Sequence, residues 1–262
     1  MNITRPILAT LALASFSQTA MSGEILLEEN FAKPGSFGKK LLADRNVSLL
    51  PGGGPDGSPA IRVAYVGYEQ GSGRIVASYP LSGRVKEATL SYDVRFSEDF
   101  QWVRGGKLHG LGPENPVTGG DPRMPEKWSA RVMFKPDGRS MSYLYEQSPD
   151  TKYGVGDTSK APVFTKGRWQ HVDIQVSVNT PGKADGSFSV HIDGKRTNHQ
   201  PAVEFRASDS GKTLISKMLF STFHGGHTPS YAPKDPGGKY ATVHADFDNF
   251  SVREGLAHAD VP

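Results

Sequence analysis

Cysteine is absent from this chain of 262 residues. Disulfide bonds and thiolate metal sites are therefore excluded, and the hydrophobic core alone must hold the fold together. Hydrophobic residues make up 36% of the chain, enough for a sizeable core in a β domain. No segment approaches the roughly 20 apolar residues that a membrane-spanning helix needs, so we expect no membrane segment.

A strong charge of either sign is also missing. The chain has 30 basic and 27 acidic residues, a formal net charge of +3, and no run rich in Lys or Arg. Nucleic-acid-binding proteins usually carry such a run or a basic patch, so we expect no nucleic-acid partner. The mild positive balance is compatible with an anionic ligand.

The first 22 residues have the layout of a secretory signal peptide. A single Arg5 precedes the apolar run ILATLALASF at 7–16, and small residues follow around Ala20 and Ser22. The run is too short to cross a bilayer as a helix. We predict a signal peptide at 1–22 and a mature protein that is secreted or periplasmic.

Long amphipathic helices are not predicted, because apolar and polar residues alternate with a period of two. This alternation occurs at 89–96 (TLSYDVRF), 171–178, 188–192 and 243–247. Between these segments the chain is rich in Gly (30) and Pro (19). The pattern predicts an all-β fold, an antiparallel two-sheet β-sandwich of jelly-roll type.

A single domain is predicted at 23–255, since strand patterns continue on both sides of the flexible loop GGGPDG at 52–57. Residues 256–262 are predicted to form a C-terminal tail. Two loops, at 110–127 and 225–239, are longer than a sandwich needs, which is typical of functional loops. We expect a monomer that needs no cofactor.

One hairpin collects unusual side chains on a single face. Residues 128–147 (WSARVMFKPDGRSMSYLYEQ) contain a Pro-Asp-Gly turn that suits a three-residue loop, with Pro and Asp in a type I turn and Gly138 in the left-handed position of a G1 bulge. That loop length pairs Arg131 with Tyr143 and Ser129 with Tyr145. Directly opposite residues have Cβ atoms about 5 Å apart, so these four groups should converge. An arginine lying over tyrosine rings as ordinary packing is the alternative explanation.

The strand before the hairpin supplies a second cation. In FQWVRGGKLHGL at 100–111, Gly105 and Gly106 allow close approach of another chain, and Lys107 and His109 follow at alternate positions. Alternation predicts that Lys107 and His109 share one face. A groove lined by Lys107, Arg131 and two phenols would suit a substrate that bears a carboxylate.

Four motifs together resemble a known family. GGKLHGL at 105–111, WSARVMF at 128–134, YLYEQ at 143–147 and STFHGG at 221–226 resemble, in this order, polysaccharide lyase family 14. These are jelly-roll enzymes that cleave alginate or glucuronan. The family's lysine motif more often has proline where this chain has His109, a departure that could alter the choice of substrate.

The resemblance implies a site and a reaction. By motif, Lys107, Ser129, Arg131, Tyr143 and Tyr145 would line the catalytic cleft. Uronate polymers would be the substrate class, and cleavage would be β-elimination.

Elementary chemistry suggests roles for these five residues. Lys107 and Arg131 would stabilise the charge that develops on the uronate carboxylate. The same cations would lower the pKa of a tyrosine, so that Tyr143 or Tyr145 could act as the base and also as the acid, with Ser129 orienting one of them.

Further residues are predicted to bind substrate. They lie within or beside the motifs and are Arg104, His109, Gln147, His224 and His227. His109 is also a rival base, because an unperturbed imidazole titrates near neutrality. His224 and His227 lack a clear carboxylate partner for a metal site, so no metal is predicted.

Two other functions remain open. A glycoside hydrolase would need two carboxylates flanking the scissile bond, and Glu146 stands alone on the face opposite the tyrosines. A non-catalytic carbohydrate-binding domain could also present aromatic residues on a sandwich face. The preferred uronate, endo or exo action, the separate roles of the two tyrosines and a structural calcium are left undecided.

Overall fold

The computed structural model describes residues 23–147 and 151–259. The predicted signal peptide at 1–22 lies outside the described residues. One helix and fourteen strands are described in these ranges. They are β1 (Ile25–Glu29), α1 (Ser36–Leu42), β2 (Val47–Leu50), β3 (Ala60–Tyr68), β4 (Gly71–Ser72), β5 (Ile75–Val85), β6 (Glu87–Phe96), β7 (Gly106–Gly112), β8 (Ser129–Phe134), β9 (Ser140–Tyr145), β10 (Gln170–Ser177), β11 (Gly186–Ile192), β12 (Lys195–Val203), β13 (Ile215–His224) and β14 (Thr242–Glu254).

The strands form two antiparallel sheets. The larger has nine strands in the order β12-β11-β10-β6-β14-β3-β2, with β1 paired to β14 and β4 to β3. The smaller has five in the order β5-β13-β7-β8-β9. This arrangement confirms the predicted antiparallel two-sheet β-sandwich. Among the described residues, none of the helices is long and apolar enough to cross a membrane.

The core fills the space between the sheets. On β6 the alternate residues Leu90, Tyr92, Val94 and Phe96 are each at most 1% exposed, as the period of two predicts. From the smaller sheet, the inward face of β8 contributes apolar side chains to the same core. The opposite face of the smaller sheet is therefore free to carry a site.

The hairpin of β8 and β9 has the predicted register. Arg131 pairs with Tyr143 and Ser129 with Tyr145, and the loop is closed by the Lys135 amide, which donates to the Arg139 carbonyl at 2.8 Å. This pairing places Ser129, Arg131 and both tyrosines on one face of the sheet.

The turn itself differs from the type I turn predicted. Asp137 has a φ of +63°, whereas a type I turn has negative φ at its central residues. Gly138 has a φ of +74°, in the left-handed region predicted for it. The surroundings of the turn give the reason. The Gly138 carbonyl accepts hydrogen bonds from the amides of Val163 and Phe164, at 2.9 and 2.8 Å, which ties the turn to the chain leading into β10.

Candidate active site

A cleft of about 730 Å³ lies on the outer face of the smaller sheet. Its floor crosses all five strands, from β5 at one edge to β9 at the other. The loop at 110–127 contributes Pro116, Thr118 and Gly119 to the wall, and the loop at 225–239 contributes residues from Gly225 to Tyr231. Both loops that are unusually long in the sequence thus border the same cleft.

The charge of the cleft has one sign. Four cationic residues line it, namely Arg74, Lys107, Arg131 and Lys135, and no lining residue in the described part of the chain is Asp or Glu. Such a surface favours an anionic ligand, because positive charges held close together repel one another and a bound anion offsets this repulsion.

Lys107 projects from β7 over the ring of Tyr143. Its Nζ lies 3.3 Å from the ring centroid and donates a hydrogen bond to Met133 Sδ at 2.9 Å. Burial lowers the pKa of Lys107 well below its ordinary value, and the charges of Arg131 and Lys135 lower it further. A neutral amine, which can accept a proton, is therefore accessible at this position.

Arg131 is a buried cation facing the cleft. Its residue is 4% exposed, and its Cζ lies 5.5 Å from the Tyr143 ring centroid. Burial lowers its pKa, yet a guanidinium stays charged at neutral pH. Among the described residues its Nε has no hydrogen-bond partner, so a ligand carboxylate would supply a missing counter-charge.

A glycine on the neighbouring strand leaves room for the Arg131 side chain. Gly110 on β7 pairs with Arg131, and a Cβ added at Gly110 would lie 2.7 Å from Arg131 Cγ and 2.0 Å from the Ala130 carbonyl oxygen. A side chain at position 110 would therefore collide with the arginine and with the strand that carries it.

Tyr143 faces the cleft with a protonated hydroxyl. Burial raises its pKa, and the adjacent Tyr145 raises it further, while Arg131 opposes the shift. The prediction that the two cations would lower a tyrosine pKa is therefore wrong for Tyr143, because loss of hydration outweighs the attraction of the guanidinium.

Tyr145 and Ser129 lie beneath the cleft wall rather than in the cleft. Tyr145 is 0% exposed, and its hydroxyl accepts a hydrogen bond from the Gly120 amide at 2.9 Å. Ser129 Oγ donates to the Val117 carbonyl at 2.7 Å, so the prediction that its hydroxyl orients a tyrosine is wrong. Both side chains instead hold the loop at 110–127 against the sheet.

His109 does not share a face with Lys107, and the predicted substrate contact is wrong. It is 0% exposed, and its ring stacks on Phe220 with centroids 4.2 Å apart. The cause is a β-bulge. Two residues lie between Lys107 and Gly110 on β7, whereas one lies between their partners Met133 and Arg131 on β8. The extra residue turns Leu108 and His109 into the core.

Gln147 and His224 are also structural in this fold, contrary to prediction. Gln147 Nε2 donates to the Phe205 carbonyl at 2.8 Å, just beyond the end of β9. His224 is 1% exposed, stacks on Phe100 and has Nε2 2.7 Å from the Gln101 carbonyl. Backbone carbonyls near strand ends need donors, and these two side chains satisfy them.

The remaining two predicted binding residues lie at the cleft. His227 lines it and is exposed. Arg104 is exposed at the rim, with Cζ 5.5 Å from the ring centroid of Tyr231, a lining residue.

Sequence reasoning missed several lining residues. Lys135 could have been found, because it shares the hairpin face of Arg131 by alternation. Arg74, Phe223 and Tyr231 could not, because their position depends on pairing between distant strands and on the path of a long loop. Among the described residues, no group of three His, Asp or Glu side chains is placed to hold a metal ion.

The fold and the site define a β-sandwich protein whose cleft is lined by basic residues and, within the described part of the chain, by no acidic ones, which suits an anionic ligand. Comparison with known proteins identifies its family. The family model of polysaccharide lyase 14 matches residues 64–250. The chain therefore belongs to polysaccharide lyase family 14 and is a polysaccharide lyase. None of the curated proteins matches the chain significantly.

Solved structures of lyases are similar to this chain. The alginate lyase Aly36B is 25% identical, with a TM-score of 0.67 over 89% of this chain and 98% of its own. The marine alginate lyase of Aplysia kurodai is 25% identical, with a TM-score of 0.60 over 80% of this chain and 87% of its own. The endo-β-1,4-glucuronan lyase of Trichoderma reesei, at 17% identity, shares the fold, with a TM-score of 0.58 over 81% of this chain and 89% of its own.

Proposed function

We propose that this chain cleaves 4-linked polyuronates, alginate or glucuronan, by β-elimination in the cationic cleft. The observation that carries the proposal is the arrangement of Lys107, Arg131 and Tyr143. A buried guanidinium without a described counter-ion lies next to an amine of lowered pKa and a phenol of raised pKa. The likeness to two alginate lyases at 25% identity supports the substrate class.

Arg131 is the proposed carboxylate ligand. In β-elimination a base removes the C5 proton. The electron pair of the broken C–H bond then forms a double bond to the carboxylate carbon, and the negative charge of this enolate-like anion lies on the carboxylate oxygens. A guanidinium already oriented in a water-poor site stabilises this charge as it forms, and such stabilisation is commonly the largest catalytic contribution.

Lys107 is the proposed base and Tyr143 the proposed acid, a change from the tyrosine base expected from the sequence. The neutral Lys107 amine takes the C5 proton and becomes an ammonium. The C4 glycosidic bond then breaks, a C4=C5 double bond forms, and the Tyr143 hydroxyl protonates the leaving oxygen. Solvent exchange afterwards restores the amine and the phenol.

Export of the protein remains a proposal based on the sequence. The layout of residues 1–22 supports secretion or transport to the periplasm. External polyuronates would then be accessible to the cleft.

The proposed reaction is tested by mixing the purified protein with alginate, glucuronan and other polyuronates and following the ultraviolet absorbance of the new conjugated double bond. We expect absorbance to rise with at least one polymer, and Lys107→Ala and Tyr143→Phe each to lower kcat about 100-fold or more, as removal of a proton-transfer group does.

Two results would contradict the proposal. Binding of polyuronates without any unsaturated product would indicate a carbohydrate-binding domain. New reducing ends without the double bond would indicate a hydrolase, although no acidic residue of the described chain lines the cleft to serve one.

A further inference from the structure

One end of the cleft carries an arginine and an aromatic ring that the proposed chemistry does not use. Arg74 immediately precedes the edge strand β5, and its Cζ lies 5.7 Å from the ring centroid of Phe223 on β13. Both residues line the cleft. They are therefore available to a ligand that is already bound at Lys107 and Arg131.

The sheet register fixes where this pair lies relative to Lys107. Ile75 pairs with Thr222, so the next residues along the two strands, Arg74 and Phe223, face each other. Phe223 pairs in turn with Lys107 on β7. The three residues form one row across three neighbouring strands, and the Cα atoms of Arg74 and Lys107 are about 10 Å apart, two strand spacings.

Arg74 is exposed and makes no ion pair among the residues that the structure describes. Its guanidinium offers a planar pair of donors that matches a carboxylate. Phe223 beside it offers an apolar surface against which the C–H face of a sugar ring can pack. An arginine next to an aromatic ring thus suits one uronate residue.

A second pair of an arginine and an aromatic ring lies near the same end of the cleft. Arg104 lies over Tyr231, as described above, and Tyr231 is held by Gly226, where an added Cβ would lie 2.2 Å from the tyrosine ring. Gly226 has φ of +143°, a conformation that favours glycine. The loop at 225–239 therefore places an aromatic wall beside Arg74.

We infer that Arg74 and Phe223 form a binding subsite for a uronate residue adjacent to the one that is cleaved, with Arg74 binding its carboxylate and Phe223 packing against its ring. The inference rests on the proposed function, and it assigns the two basic residues of the row, Arg74 and Lys107, to different sugar residues. Substrate binding should then depend on chain length.

The test measures kcat and KM for oligouronates of two to six residues, prepared from the polymer that the wild-type protein cleaves. Arg74→Ala should raise KM for the longest oligomers about tenfold, the effect of losing one charge-assisted contact. Its kcat should stay within about twofold, and KM for the shortest cleaved oligomer should not change. Arg84→Ala is the matched control, because Arg84 lies on β5, the edge strand that Arg74 precedes, pairs with Glu114 and does not line the cleft.

Equal KM values for Arg74→Ala and wild type at every length would overturn the subsite. A fall in kcat by the same factor at every length would also overturn it, because Arg74 would then act in the chemical step. Without any unsaturated product from the wild type the proposed function fails, and calorimetric titration with hexamers of alginate and glucuronan tests the subsite alone. About tenfold weaker binding by Arg74→Ala would support it, and equal binding would overturn it.

Discussion

At the scale of single residues, the pKa values of Lys107 and Tyr143 are shifted in opposite directions by the same physical cause. Burial disfavours the charged form of each group, so it lowers the pKa of the amine and raises the pKa of the phenol. The result is a potential base and a potential acid beside the permanent charge of Arg131. Pairs of groups whose pKa values are pushed apart are typical of acid and base partners.

His109 shows how a residue behind the site can support it. Its Nδ1 accepts a hydrogen bond from the Ser221 amide at 3.2 Å, at the point where the register between β7 and β13 shifts. Burial lowers its pKa to about 3, so the ring is neutral at pH 7. We assign the proton to Nε2, because Nδ1 is the acceptor. The ring lies among aromatic side chains, with its centroid 4.7 Å from that of Tyr92.

His109→Leu should therefore lower the free energy of unfolding by about 1 to 3 kcal/mol, because the buried Ser221 amide loses its acceptor. His109→Asn should recover part of this loss, since Oδ1 can take the place of Nδ1. Denaturant unfolding of the two variants and the wild type provides the measurement. A leucine variant as stable as the wild type would mean that the Ser221 amide does not depend on His109.

At the scale of elements, the bulge in β7 decides what the cleft contains. Strict alternation would place Lys107 and Gly110, three residues apart, on opposite faces. The extra residue lets both face the cleft while Leu108 and His109 enter the core. The bulge thus places the Lys107 side chain in the cleft and also provides the space that Arg131 occupies.

Gly110→Ala tests this local arrangement. The added methyl would overlap the Ala130 carbonyl oxygen and the side chain of Arg131, so we expect a loss of about 2 kcal/mol of stability and a large fall in kcat/KM as Arg131 is displaced. Gly211→Ala is the control, because nothing lies within 4 Å of a Cβ there. Thermal unfolding and the absorbance assay would show the difference, and equal behaviour of the two variants would contradict the packing described.

These elements also mark how far sequence reasoning reaches. The hairpin of β8 and β9 was predictable because loop length fixes its register locally, and it placed Arg131 opposite Tyr143 correctly. The face of His109 was not predictable, because the bulge arises from pairing with two different strands. Arg74 was missed for a similar reason, since β5 and β13 pair across a separation of more than 100 residues.

At the scale of the whole molecule, a net charge of only +3 conceals a separation of charge. Three acidic residues on the larger sheet, Asp93, Asp173 and Asp246, are paired with basic side chains nearby. Asp246 pairs with Arg62 and Arg95. His171 donates hydrogen bonds to the carboxylates of Asp173 and Asp93, which raise its pKa to about 10, and so bridges the two. The cations of the cleft have no such partners among its lining residues. Composition alone could not locate this field, because only the fold collects the unpaired charges in one place.

The two sheets thus have different structural roles. The larger sheet supplies most of the strands and one wall of the core, and the smaller sheet carries the cleft on its outer face. Sequence alternation predicted this sandwich, yet it gave no indication of which sheet carries the cleft.

The pH dependence of kcat/KM on a cleaved polyuronate tests the central claim most directly. The base must be neutral, so kcat/KM should fall as pH drops through the pKa of Lys107, which lies well below that of a free lysine. The acid must be protonated, and because burial raises the pKa of Tyr143, the profile should stay flat from that limb up to at least pH 10. A rate that keeps climbing through pH 10 would mean that the base titrates near or above pH 10, and it would contradict a Lys107 base of lowered pKa.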